Sequence, residues 1–120
     1  MSDDARATAV AYFDAWRAKD FATLRALLAD DVTFVGPLGT AANAEDYTAG
    51  IQRLSNVVTD IAVRKMFVDG PDVVTWFDLH TTVAPPCPTA NWSHVQDGKI
   101  AAVRVAFDPR PLLPPNAHNT

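Results

Sequence analysis

Apolar residues recur at helical spacing near the start of the chain. Ala9, Tyr12, Phe13 and Trp16 fall on one face and predict a helix from Asp3 or Asp4 to about Lys19, with acidic residues at its positive end. Asp20 reads as the N-cap of a second, shorter helix in "FATLRALLA", where Phe21, Leu24, Leu27 and Leu28 share one side. The period then changes. "DDVTFVGPLG" predicts a brief strand, Val32 to Val35, stopped by a Gly-Pro turn. Asn43 caps a third helix, whose Tyr47, Ile51 and Leu54 follow the i, i+4, i+7 pattern.

Everything after Ser55 alternates with a period of two or breaks into turns. In "VVTDIAVRKMFV", Ile61, Val63 and Phe67 stand out of phase with Arg64 and Met66. "DGPD" interrupts, and "VVTWFDLHTTV" follows as the run richest in branched and aromatic residues. "APPCP" reads as a loop, because prolines are excluded from sheet interiors. "TANWSHVQ" and "KIAAVRVAF" flank Asp97-Gly98, the strongest hairpin signal in the chain. The ending "DPRPLLPPNAHNT" predicts an extended, partly mobile Pro-rich tail. The expected fold is α+β: three N-terminal helices packed on a strongly curved, mostly antiparallel sheet, with a cone-shaped pocket on its concave side. Residues 1–110 form one domain and residues 111–120 its tail.

Composition narrows the function classes. The chain has 120 residues, 48% of them hydrophobic, and a net charge of −4 with ten Lys plus Arg scattered singly, so no basic stripe invites nucleic acid. Its acidic N-terminus carries no signal-peptide core and no run is long enough to span a membrane, so no membrane partner is expected. One cysteine, Cys87, fits a reducing cytoplasm; placed in an exposed proline loop without a basic neighbour, it reads as inert. His80, His94 and His118 lack metal-ligand spacing, and no phosphate-cradling glycine loop is present, so no metal or cofactor is expected.

The stretch "YFDAWRAKDFATLRALLADDVTFVGPLG" and the closing "VQDGKIAAVRVAFDP" resemble the SnoaL-like, polyketide-cyclase-like proteins of the nuclear-transport-factor-2-like superfamily, over about residues 5–110. The resemblance implies a cystatin-like cone with a small-molecule pocket, while the superfamily's activities are too varied to transfer by fold. Three catalytic patterns test it residue by residue. Ketosteroid-isomerase-like members place a Tyr on the first helix, matched by Tyr12; their base precedes the Pro-x-Gly turn, where this chain has Gly36; and their second oxyanion group falls near Asn91. Epoxide-hydrolase-like members need an Asp where Val105 stands and an Arg-flanked Asp pair that is missing. The cyclase pattern finds its His at His80, but Asn91 replaces its Asp, and an amide cannot deliver a proton.

Asp78 and His80 stand two apart in the best strand and therefore share a face. If that face lines the pocket, Asp78 orients His80 as an acid/base, and Tyr12 and Asn91 hold a substrate oxygen. Trp16, Phe34, Tyr47, Ser93 and Val105 are the accompanying substrate-binding candidates. If instead the alternate set Val73, Thr75, Phe77 and Leu79 faces the helices, Asp78, His80 and Trp76 join Trp92 and His94 on a convex face of the kind that makes a dimer. Arg104 is expected to be a paired surface or interface charge.

Two functions remain open. One is a cofactor-independent isomerase, cyclase or dehydratase acting on a hydrophobic carbonyl- or hydroxyl-bearing molecule. The other is a non-catalytic ligand-binding or scaffold protein. Either is expected to be a homodimer through the sheet.

Overall fold

The first helix is closed at its C-terminal end by local chemistry. In the computed structural model, which describes residues 2–113, α1 runs Ser2–Arg17, so Asp4 lies inside its first turn instead of capping it. It stops two residues short of Lys19, which adopts φ +57. The Lys19 N–H reaches the Trp16 carbonyl at 2.9 Å and the Asp20 N–H reaches Ala15 at 2.8 Å, the paired closure of a Schellman motif without its usual glycine. Asp20 at once caps α2 (Phe21–Ala26), accepting from the Thr23 amide at 3.2 Å and the Thr23 hydroxyl at 2.7 Å.

The second helix ends earlier than its apolar face predicts. Leu28 begins β1 (Leu28–Gly36), fully buried and paired with Ile100, while the Ile100 amide donates to Leu27 at 2.8 Å. Burial against the sheet outweighs the helical preference of the leucines. A register irregularity between Leu28 and Thr33 then lets β1 bend. A short strand not expected from the sequence, β2 (Gly39–Ala41), folds back on β1. Asn43 caps α3 (Ala44–Ser55) as expected, accepting from the Asp46 amide at 2.8 Å.

The remaining strands are β3 (Val58–Asp69), β4 (Asp72–Thr81), β5 (Cys87–Gln96) and β6 (Lys99–Ala106). The sheet order is β2-β1-β6-β5-β4-β3, antiparallel at every junction except β1 with β6. Asp97 and Gly98 both take positive φ, +55 and +76, and close the β5–β6 hairpin that the sequence predicts.

Three readings change. In β3 the register slips between Val63 and Lys65, so Phe67 leaves the phase of Ile61 and turns outward, 56% exposed, while Met66 and Val68 pack inward. Cys87 and Pro88 lie in β5 and not in the loop, which spans residues 82–86, and Cys87 is buried. Pro88 lies near the start of β5, opposite Asp78 of β4 and beyond the last β6 pair at Ala90, so this end of the strand is an edge on its β6 side. The tail begins with a 3₁₀ turn, Arg110–Leu112, in place of extended chain; the expectations for residues 114–120, including His118, lie outside the described residues.

The core sits between the inner sheet face and the helices. Val73, Thr75, Phe77 and Leu79 of β4 are all buried, and Phe77 packs 5.2 Å from Phe13 and 6.0 Å from Trp16, ring centre to ring centre. Burying such a ring stabilises by roughly 1.5–3 kcal/mol, and emptying its site adds a cavity term. Phe77→Ala is expected to lower unfolding free energy by about 3–5 kcal/mol in a denaturant titration; a loss below about 1 kcal/mol would show that the ring cluster is not what holds β4 to α1.

Candidate functional site

Rings fill the space beneath α1, so the open volume lies at the α3 end. A cavity of about 460 Å³ opens between α3, the β1–β2 hairpin and the chain after β6. Phe34, Pro37, Leu38 and Ala41 form one wall, Leu54, Val57 and Phe107 another. From α3, Tyr47, Gly50, Ile51 and Leu54 face it, with Asp46 and Arg53 among its charged groups. Its size and apolar lining suit a small molecule.

Tyr47 connects this cavity to the core. Its hydroxyl shares a 2.7 Å hydrogen bond with that of Tyr12, and both rings are buried, 3% and 2% exposed. Phe34 meets Tyr47 edge to face at 5.1 Å. Burial pushes both phenols well above the usual tyrosine range; for Tyr12 the bond to Tyr47 offsets this in part. The pair is therefore a neutral donor–acceptor unit: one proton lies between the oxygens and the second is free to be donated.

Gly36 also lines the cavity, and its lack of a side chain matters. A Cβ there would lie 2.9 Å from Cζ of Phe34 and 3.6 Å from Cβ of Val105. The Phe34 ring fills the space a side chain at Gly36 would need, so the acid that the resemblance implies for this position could enter only if that ring shifted.

The residues expected to form one constellation divide between two faces. Tyr12, Asn91 and Ser93 point to the concave side and are buried. The Ser93 hydroxyl donates to the Asn91 side-chain oxygen at 2.9 Å, and Asn91 pairs across the sheet with Thr75 and Val105. Val105 stands beside Gly36, which places Asn91 one strand away from the cavity wall. Trp16 is core: its indole donates to the Ser55 hydroxyl at 3.0 Å. Of the expected lining residues, Phe34 and Tyr47 reach the cavity.

Asp78 and His80 lie on the opposite face, because the inward positions of β4 are taken by Val73, Thr75, Phe77 and Leu79. Asp78 pairs with Arg64 at 2.8 Å, and no contact to His80 accompanies it. The carboxylate–imidazole pair forms elsewhere on that face: Asp72 Oδ1 lies 2.8 Å from Nδ1 of His94 and accepts from the Trp92 indole at 3.0 Å. The His94 hydrogen bond, then that of Trp92, holds the Asp72 carboxyl below the usual range. Arg104 donates to the carbonyl and hydroxyl of Thr33.

Sequence reasoning missed the contributions of β2, Gly50 and Arg53. The i, i+3 spacing of Tyr47, Gly50 and Arg53 was the available signal: a small residue between an aromatic and a cation on one helical face.

Residues 9–103 match the SnoaL-like domain. Among solved structures, the chain is similar to an NTF2-like protein of unknown function from Cytophaga hutchinsonii, at 27% identity and TM-score 0.81 over 90% of this chain and 93% of that one. A protein from Kribbella flavida is 30% identical with TM-score 0.83, covering 88% and 87%. An epoxide hydrolase from M. tuberculosis shares the fold at 21% identity and TM-score 0.78, covering 92% and 86%. No curated protein matches the sequence. Among the described residues no helix is long and apolar enough to cross a membrane.

The chain's two tyrosines are the buried pair, so tyrosinate absorbance reports on nothing else. Because their folded pKa values are raised, their contribution to stability is complete below pH of about 10, where an unfolded tyrosine titrates, and is lost as pH rises beyond it. Tyrosinate is expected to appear only together with alkaline unfolding followed by circular dichroism. A phenol titrating at an ordinary value in folded protein would contradict the buried pair.

Proposed function

Because this chain belongs to the SnoaL-like domain family of the NTF2-like fold, we propose that it binds a hydrophobic small molecule bearing a carbonyl or hydroxyl oxygen. The apolar body of the ligand fills the cavity and its oxygen accepts a hydrogen bond from the tyrosine pair. The observation that carries this reading is a neutral, already hydrogen-bonded phenol, Tyr47, facing a cavity of about 460 Å³ with otherwise largely apolar walls. Tyr12 acts through Tyr47, holding its hydroxyl in place. The site-directed acid/base scheme built on His80 and Asp78 has no support in this geometry, since both lie across the sheet from the cavity. Binding without turnover is thus the reading best supported.

One observation favours a catalytic variant. Asp46 and Tyr47 are consecutive on α3 and both line the cavity, so a ligand carbonyl polarised by the phenol has a carboxylate on the same wall. Proton exchange next to that carbonyl distinguishes the two. An isomerase-type activity predicts deuterium uptake from D₂O into a bound ketone and its loss in Asp46→Asn; simple binding predicts uptake no faster than in buffer.

We propose further that a second copy covers the convex face. Phe67, Val74, Trp92, Arg104 and Val35 are cross-strand neighbours in one row over five strands, and Phe67 and Trp92 are both more than half exposed. Trp76 adds a third aromatic side chain to this face. A row centred on tryptophan, with apolar neighbours and an arginine beside it, is the composition of an interface centre.

Two measurements check these proposals. Isothermal titration with 2-decanone is expected to show saturable binding, weakened about five- to tenfold by Tyr47→Phe, the typical value of one hydrogen bond. Equal affinity in both proteins would remove the tyrosine from recognition. Light scattering is expected to give a dimer at micromolar concentration and a monomer for Trp92→Glu; a monomeric wild type would discard the interface.

A further inference from the structure

The cavity holds an arginine whose charge the protein leaves unanswered. Arg17, Arg25, Arg64 and Arg110 each pair with carboxylates, and Arg104 is spent on Thr33 and the Val103 carbonyl. Among the described residues, Arg53 makes no ion pair and no side-chain hydrogen bond. It is exposed and yet lines the cavity.

Its placement follows from helix geometry. Long side chains on a helix lean toward the preceding turn, which for Arg53 is occupied by Gly50. A Cβ at Gly50 would lie 3.8 Å from Nη2 of Arg53, so the guanidinium lies across the glycine, on the cavity side of α3. Tyr47 is one turn before Gly50, about 4.5 Å along the axis at 1.5 Å per residue, and its own side chain leans toward the turn before that. The phenol and the guanidinium thus stand at two separated points along one apolar wall. Asp46 is a further residue away, its carboxylate accepting from the Asn43 side chain at 3.1 Å.

We infer that the ligand is an amphipathic carboxylic acid: its oxo or hydroxy end meets Tyr47, its hydrocarbon middle fills the cavity, and its carboxylate stays at the opening on Arg53. This rests on the binding function proposed above and adds the chemical class of the ligand. The planar fork of a guanidinium suits a carboxylate in two-point contact, and an exposed position lets both charges keep part of their hydration. A favourable interaction with the end of the α3 dipole explains a basic residue in the last helical turn. It does not explain why the side chain borders the cavity.

The test compares two ligands that differ only at the end facing Arg53, 2-decanone and 9-oxodecanoate, titrated calorimetrically at low and high salt. Wild type is expected to bind the acid about tenfold more tightly than the ketone at low ionic strength, a preference that shrinks as salt is added. Arg53→Gln is expected to erase the preference by bringing 9-oxodecanoate affinity down to that of 2-decanone, with a small fall in melting temperature as the helix-dipole interaction is lost. Arg6→Gln, which removes an exposed arginine that does not line the cavity, is expected to alter neither. Equal binding of both ligands to wild type, or a preference that survives Arg53→Gln, overturns the carboxylate assignment and leaves the cavity reading standing. If neither ligand binds wild type, the cavity reading itself falls and the assignment with it.

Discussion

Phe77, wedged against Phe13 and Trp16 of the first helix, fixes which side of the sheet is inside. Ring pairs of this kind add about 0.5–1.5 kcal/mol each beyond the area they bury. Because side chains alternate strictly along a strand, placing Phe77 inward also places Val73, Thr75 and Leu79 inward and turns Trp76, Asp78 and His80 outward. The β4–β5 register carries the decision to the next strand, burying Asn91 and Ser93 and exposing Trp92. One aromatic contact thus divides the polar residues of two strands between a core and a surface.

The same packing decides where space remains. Rings from α1 and β4 occupy the volume under the first helix, and the cavity is displaced to the region walled by α3 and the β1–β2 hairpin. The tyrosine pair spans the boundary, with Tyr12 in the packed region and Tyr47 at the cavity. A buried phenol needs a partner, and each tyrosine supplies the other's. Gly36 completes the arrangement: with no side chain there, the Phe34 ring occupies the space a Cβ would need and forms part of one wall. Among the described residues, the chemistry left facing the cavity is hydrogen-bond donation, the Asp46 carboxylate and the Arg53 guanidinium at its edge.

On the convex side, polar groups are organised in cross-strand rows. Asp72 and His94 are direct partners across β4 and β5, with the Trp92 indole on the same carboxylate. Arg64, the residue at the β3 register slip, pairs with Asp78. A bulge that turns Phe67 outward on the same strand extends the aromatic row to the sheet edge. Bulged strands commonly redirect side chains in this way, and here the effect is to enlarge the exposed apolar surface of the convex face.

Much of this was legible in the residues themselves. The Asp20 and Asn43 caps, the Asp97-Gly98 turn, the helical face around Tyr12 and Trp16 and the alternation of β4 are local signals, since each depends on atoms a few residues apart. Local signals also carried the α+β order and the family resemblance. The errors share one cause: Leu28 leaves its helix to pair with Ile100, Phe67 changes face at a bulge, and Cys87 joins a strand whose neighbour has already ended. Each is decided by pairing with another strand and not by the residues adjacent in sequence. The cavity belongs to the same class. Tyr47 and Phe34 were named in advance as lining residues, but the choice between the two faces for Asp78 and His80, and the isolation of Arg53 beside Gly50, were settled only when the sheet closed against the helices. Sequence determines which elements form because that is short-range physics; only tertiary packing determines which side chains meet and which are left without a partner.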